Sequence, residues 1–468
     1  MDETKRGKKK EVNRSINLAA SIIKKKSVAG LENDGLYFGF WLPCDVEYDD
    51  GSVKIVPTMT VVKPNGKNFF AQDPEKWHFY SKGTPKRISD GALNLLLEGD
   101  EGTIDGSQLF NDILTNYKEH IDLNESGNYE YMALFDICSY FLQLFDVAPQ
   151  VHIQGFKLCG KTKLITLSSL MSFNGTLMTS FTLATVFRYV DDASPTLYID
   201  EADKLLKSTK EGIEDVIAMF NSGYKRGARI PRCDKNNDVQ WFDVFGSKVY
   251  GSINNIPSDF ASRCHKIIMI RALGESKSAE KRVEEKDPMY VRIRSELYMF
   301  ALQNWEEVQE IYNTLPNPEG LKHRDWEIWK PILTIAKFIS EDIYYSMIDF
   351  SQESVKAKQK EEDTSDSWDV LMIQALGILV NENKYYGLSD IKAIMTDQSD
   401  DMSSPSNKWI GSALRKYGLQ EFRRVIGKTQ VLLSPQVIIN LAGRNGIKLD
   451  ENCQSLCAIN KKEESVQP

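Results

Sequence analysis

Val151-His-Ile-Gln154, then Gly155-Phe-Lys-Leu-Cys-Gly160-Lys161-Thr162, then a segment carrying Leu164, Ile165, Leu167 and Leu170: this stretch decides the fold. The first run is short and apolar, as a buried strand is. The last has the spacing of a helix with one apolar face. Between them stands G-x-x-x-x-G-K-[ST], matched at every fixed position. Glycines let the backbone wrap tightly, so that successive N–H groups face one anion, and the following helix adds its positive end. Lys161 then neutralises the β- and γ-phosphates of ATP, and the Thr162 hydroxyl ligates Mg²⁺. Phe156, Lys157, Leu158, Cys159 and Lys163 complete the expected cradle. With glycine at about 7% of residues, a chance match in a chain this long arises roughly one or two times in a hundred. The flanking strand and helix make chance rarer.

Asp200 follows Thr162 by 38 positions, at the end of the apolar run Thr196-Leu-Tyr-Ile199, and Glu201 comes next. A strand that delivers two carboxylates offers Asp200 to hold Mg²⁺ and Glu201 to orient or deprotonate the attacking water. A third apolar run, Val249-Tyr-Gly-Ser-Ile253, ends in Asn254-Asn255. Asn254 is the favoured hydrogen-bond partner for the γ-phosphate or the water, with a plain turn before Pro257 as the other reading. Arg263, in DFASRCHKIIMI, is a candidate for stabilising charge on the phosphate of a neighbouring subunit; the alternative is a salt-bridged surface arginine. Arg324, in LKHRDWEIWKPIL, is a candidate nucleotide sensor. Lys225, Arg226 and Arg229 sit on a glycine-containing loop with Arg232 close by. They suit the phosphates of a threaded strand or of ATP in trans, or else form a solvated loop tip.

Outward from this core, composition divides the chain. Residues 1–34 form a basic N-terminal segment, read either as a solvated tail with one helix over Ile16–Ile23 or as a nucleic-acid arm. Residues 35–87 are rich in β-branched and aromatic residues with Asp49-Asp50-Gly51 as a turn, which predicts a small β-rich accessory domain. Residues 88–147 read as a helical segment leading into the 148–275 ATPase core, where strands alternate with helices as in a parallel sheet. A helical lid over 276–350, a charged linker over 351–367 and a tail over 448–468 complete the division.

Residues 368–447 predict three helices, Trp368–Asn381, Leu388–Met395 and Lys408–Tyr417. A hairpin of Phe422–Val425 and Gln430–Leu433 about Gly427-Lys428 follows. Three helices and a hairpin make a winged-helix-like pattern. Lys408, Arg415, Lys416, Arg423, Arg424 and Lys428 are its candidate contacts to DNA phosphates, the alternative being a protein-interaction module.

The strings PTLYIDEADKLL, FNSGYKRGARIPRC, FASRCHKIIMIRA and RDWEIWKPILTIAKF resemble a family of P-loop ATPases found in phage, plasmid and other mobile-element primase-helicase proteins. SNKWIGSALRKYGL and FRRVIGKTQVLL are similar to that family's closing module. The resemblance spans about residues 130–445. It implies an AAA+-like or viral-replicative-helicase-like core acting on DNA in replication, assembled as a homo-oligomer such as a hexameric ring. The first 125 or so residues fall outside it, and no primase site is recognisable. An ATPase switch that binds DNA without unwinding it is the second reading.

Overall proportions agree with a large intracellular protein of two to four domains at about 100–200 residues each. The formal net charge of −8 excludes whole-molecule electrostatic DNA binding, so contact with DNA has to come from local patches. Seven dispersed cysteines show no paired zinc spacing and suit a reducing, cytoplasmic setting. No apolar run is long enough to predict a membrane span.

Overall fold

A computed structural model describes residues 25–26, 28–32, 35–47, 51–64, 69–70, 78–79, 87–98, 102–178, 183–202, 205, 213–233, 238–253, 256–272, 276–397, 405–444 and 449. The chain divides into two compact units, Met1–Ser354 and Val355–Pro468.

Along the first unit come β1 Lys25–Lys26, β2 Ala29–Glu32, β3 Gly35–Glu47, β4 Val53–Val62, β5 Phe69–Phe70 and β6 His78–Phe79. Strands β2 to β5 form one antiparallel sheet in sequence order, and β1 pairs with β6. The described part of this region is β-rich and belongs to the first compact unit. Phe38 and Phe40 meet the Tyr298 ring edge-on at 5.0 and 5.3 Å, and Tyr140 and Phe173 close the cluster. Each such aromatic pair adds about 0.5–1.5 kcal/mol beyond its buried area. These aromatics fasten the sheet to the core. The helix expected over Ile16–Ile23 lies outside the described residues.

The core follows with β7 Gln150–Gly155, β8 Thr176–Leu177, β9 Leu197–Ile199, β10 Arg229–Cys233, β11 Val239–Asp243, β12 Lys248–Ser252 and β13 His265–Met269. Five of these make a parallel sheet in the order β13-β7-β12-β9-β8. Val249 of β12 lies opposite Val151 on one side and Tyr198 on the other. Parallel pairing requires crossover connections, and helices such as Lys161–Met171, Leu183–Ala193 and Ile213–Ser222 supply them. β12 is buried throughout and β7 nearly so, including the polar Gln150, His152, Lys248 and Ser252, so apolar residues on these strands are not confined to one alternating face. The parallel arrangement brings the carboxyl ends of β7, β9 and β12 to one edge. Strands β10 and β11 form a separate hairpin just ahead of β12.

Helices Gly106–His120, Ser126–Tyr140, Pro288–Thr314 and Arg324–Ile339 pack around this sheet. The residues read as a lid, 276–350, thus contribute long helices to the same packed body. Two arginines complete the C-terminal end of helix Lys161–Met171. Arg87 donates to the carbonyls of Ser169 at 2.8 Å and Gly175 at 3.0 Å, and Arg294 to that of Leu170 at 2.7 Å. Cations here satisfy open carbonyls and oppose the negative end of the dipole.

The second unit takes its core from the end of helix Glu341–Leu379, then β14 Lys384–Gly387, helices Leu388–Asp397 and Asn407–Lys416, β15 Phe422–Val425, β16 Lys428–Leu433 and helix Pro435–Arg444. Its sheet runs β14-β16-β15, all antiparallel. Met372, Leu376, Ile391, Ile410, Leu414 and Val431 are buried at its centre. Residues 351–367, read as a linker, are helical: strong helix formers such as Lys, Glu, Gln and Ala outweigh their high charge. Among the described residues no helix is long and apolar enough to cross a membrane.

Candidate nucleotide site

β7 ends at Gly155, the chain loops over residues 156–160, and the helix starts at Lys161. A side chain at position 155 would put its Cβ 2.3 Å from the Met269 carbonyl oxygen and 2.6 Å from Cys159 Sγ. Gly160 holds a φ of +93° and Leu158 one of +67°. Phe156 and Leu158 point outward, 79% and 81% exposed. The loop is therefore drawn tight against β13, with its larger apolar side chains left largely in solvent. Lys161 Nζ donates to the carbonyls of Gly155 at 2.6 Å and Phe156 at 3.0 Å.

The decisive distance joins the two sequence motifs. Thr162 Oγ1 donates to Asp200 Oδ2 at 2.6 Å. Asp200 Oδ1 in turn accepts the Glu201 N–H at 2.9 Å, which fixes the carboxylate plane. Glu201 is exposed and sits at φ +56°, a backbone region that L-residues other than Asn and Asp seldom enter. Next to this pair, Gly251 leaves room for a close approach, since a Cβ there would lie 2.6 Å from Ile165 Cδ1 and 2.9 Å from Asp200 Oδ1.

A cavity of about 470 Å³ opens over these groups, lined by residues 157–163, Asp200, Glu201, Ser252 and Ile253. A second cavity of about 270 Å³ shares Leu158, Cys159, Gly160 and Lys163 with it. His120, Ile121, Met269, Ile270, Arg271 and Glu280 help to line that second space. Lys163 donates to the Ser278 carbonyl at 2.9 Å; burial, then the nearby Lys281 charge, lower its pKa. The sequence reading missed the second cavity and Ser252. Apart from the glycine loop itself, the cavity's lining comes from segments as far apart as His120 and Glu280, which bear no motif.

Behind the site a buried polar network ties the two motifs together. Ser168, on the helix that begins at Lys161, donates to Asp136 Oδ1 at 2.6 Å and lies 2.7 Å from the Tyr198 hydroxyl. Tyr117 donates to Asp136 Oδ2 at 2.5 Å, and Tyr198 to Ser172 Oγ at 2.8 Å. Tyr198 stands two residues before Asp200 on β9. Burial holds the Asp136 carboxyl well above the usual carboxylate range. Fully satisfied networks of this kind make small displacements of either motif costly.

The remaining candidates are placed elsewhere. Asn254 and Asn255 lie outside the described residues. Arg263 lines neither cavity: it donates to Asn221 Oδ1 at 2.9 Å and to the Asp259 carbonyl, and its guanidinium stands 5.3 Å from the Tyr224 ring centre. Arg324 lines neither cavity and donates to Ser262 Oγ at 2.9 Å, next to Arg263. Lys225 pairs with Glu327 at 3.2 Å. The Arg226 guanidinium donates to the Phe145 and Leu142 carbonyls, both at 2.9 Å, and covers the Phe245 ring. Arg232 pairs with Asp215. Arg229 is exposed on the β10–β11 hairpin, on the face that carries Val239 and the exposed Trp241.

In the second unit Lys408, Arg424 and Lys428 are exposed. Arg415 covers Phe422 and donates to the Gly411 carbonyl, while Arg423 covers Tyr385 at 3.8 Å and donates to Gln430. Lys416 closes helix Asn407–Lys416, and its side chain lies outside the described set.

No family model matches this chain, and no curated protein matches it. Among solved structures it is similar to one described as an active SCCmec type IV Cch helicase, at TM-score 0.40 and 13% identity over 84% of this chain and 79% of that one. It is also similar to the apo A form of the NrS-1 C-terminal region, at TM-score 0.31 and 12% identity over 81% of this chain and 94% of that one. Both scores lie below the level at which a common fold follows, so the chemistry has to be read from the site itself.

Proposed function

We propose that this chain is an ATPase that uses nucleoside-triphosphate hydrolysis to move on DNA, as a helicase or translocase of replication. The observation that carries the reading is the 2.6 Å contact of Thr162 Oγ1 with Asp200 Oδ2. A hydroxyl and a carboxylate at one point, beside a tight glycine loop, are the hard oxygen donors that suit Mg²⁺ together with phosphate oxygens. Among the described residues no three His, Cys, Asp or Glu side chains cluster, which fits a metal held largely by its nucleotide rather than by a protein cage. ATP·Mg²⁺, when bound, would supply the electrophilic phosphorus and the charge neutralisation.

The chain's own groups divide the remaining work. Loop N–H groups from Gly155 to Thr162 and the Lys161 ammonium bind the phosphates, for which Lys161 has to leave the carbonyls it now holds. Glu201, facing the same cavity, orients the attacking water and accepts its proton. The second cavity, with Ile121, Met269 and Ile270, takes the nucleoside. Arg263, away from its own cavity, suits a neighbour's site in a ring, and Arg229 with Trp241 offers a cation and a ring to a single strand.

Steady-state ATPase rate with and without single-stranded DNA tests the motor reading. Stimulation of about tenfold or more supports it; an unchanged rate moves the assignment to a switch. That second reading has one observation in its favour: Lys225 and Arg226, the cations expected to touch DNA, already have partners within the chain, Lys225 in an exposed ion pair with Glu327 and Arg226 on the Phe145 and Leu142 carbonyls. Lys161→Ala is expected to weaken nucleotide binding at least about 100-fold with the fold retained. Parent-like affinity in that variant would remove the phosphate site from the protein.

A further inference from the structure

The tip of the β15–β16 hairpin breaks a local rule. β15 ends at Val425 and β16 begins at Lys428, so the turn is two residues long. Both have positive φ, 48° at Ile426 and 75° at Gly427. Tight turns of this kind favour Asn, Asp or Gly at both positions, because a branched Cβ collides with the backbone there. Isoleucine is among the worst choices. Its side chain gains no packing in return, being 97% exposed, with Val425 beside it at 40%. Of the unit's other isoleucines, Ile373, Ile391, Ile410 and Ile438 are fully buried, Ile394 and Ile439 pack partly buried against them, and Ile378, at 53%, is far less exposed than Ile426. An apolar side chain held outward on a disfavoured backbone is the kind of exception found where a surface meets a ligand.

The charges around it say which ligand. Arg424 and Lys428 flank the tip and are exposed. Arg423 is braced over Tyr385 and Gln430, which stiffens the ribbon behind it. Glu421, an acid of this ribbon, lies beyond its far end. An apolar point between two cations complements a base step between two phosphates. Isoleucine is among the side chains that enter base stacks as wedges.

We infer that Ile426 is a wedge that enters the base stack of duplex DNA while Arg424 and Lys428 hold the flanking phosphates. This rests on the proposal that the chain acts on DNA. The wedge unstacks one step, and the ribbon's two short strands carry the load back to the Ile410–Val431 core.

The test uses the full chain, a duplex carrying a fluorescent base analogue, and a single strand of the same sequence. Ile426→Asn places a residue that the turn prefers, so loss of folding does not obscure the result. It is expected to weaken duplex binding about tenfold, abolish the unstacking signal and change single-strand affinity less than about twofold. The double variant Arg424→Glu, Lys428→Glu is expected to weaken duplex binding more strongly and to lower its salt dependence. If the charge variant weakens binding while Ile426→Asn keeps parent affinity and signal, the wedge is overturned and DNA binding stands. If the charge variant binds duplex as the parent does, DNA binding by this unit is overturned, and the wedge with it.

Discussion

The loops after β7 and β9 and the C-terminal hairpin tip all hold ordinary residues in left-handed backbone, but with opposite surroundings. Leu158 and Glu201 stand at φ +67° and +56° on loops anchored by buried strands, and the Asp136 network binds the two elements behind them. Ile426 stands at +48° on a two-residue turn with almost its whole surface in water. In the core, tertiary packing imposes the conformation. At the hairpin, only the shortness of the turn does. Strain of about 1–2 kcal/mol per residue is tolerated in both places, and for different reasons.

The largest effect should come from disturbing the braced region at its tightest point. Gly155→Ala directs a Cβ at the Met269 backbone oxygen, 2.3 Å away, and a backbone atom has little freedom to yield. A loss of about 3 kcal/mol in urea unfolding is expected. A loss below about 0.5 kcal/mol would show that the loop is not pressed on β13.

Glu201→Gly separates strain from chemistry. Removing the Cβ should stabilise the first unit by up to about 1 kcal/mol, while turnover falls at least about 100-fold. Paired melting and ATPase measurements decide it. Retained turnover would exclude Glu201 as the water-orienting group.

His265 probes the same core by pH. Its ring is buried, Nε2 donating to Asn128 Oδ1 at 2.8 Å, and burial pushes its pKa from 6.5 down to about 3. Between those values the unfolded chain binds a proton that the folded one refuses, so this group's contribution is full above pH 6.5 and falls as pH drops. Relative to His265→Gln, the parent should lose about 2 kcal/mol between pH 7 and pH 5. Parallel pH profiles would contradict this. The smallest effect belongs to the unbraced region: Ile426→Asn should raise the second unit's stability by about 0.5–1 kcal/mol in thermal melting. A drop would mean that the side chain is packed after all.

Much of the core was legible because its chemistry is local. Gly155, Gly160, Lys161 and Thr162 lie within eight positions, and β7, β9 and β12 announce themselves as apolar runs. The hairpin at Phe422–Leu433 was legible from its turn glycine, whereas β14 was not, since Lys384-Tyr-Tyr-Gly387 is too short to show a period. Charge on a glycine-containing loop reads as a phosphate contact or a solvated tip at Arg226, and only the tertiary structure places the Phe145 and Leu142 carbonyls against its guanidinium.

The sequence by itself determined which residues form the tight glycine loop and the helix that follows it, because backbone turning and helix polarity depend on neighbours a few positions apart. Only the tertiary structure decided that Thr162 meets Asp200, that Arg263 stays away from its own cavity, and that the β-rich N-terminal strands join the core. Those facts depend on strand order and on aromatic packing between distant segments, and no local pattern encodes them.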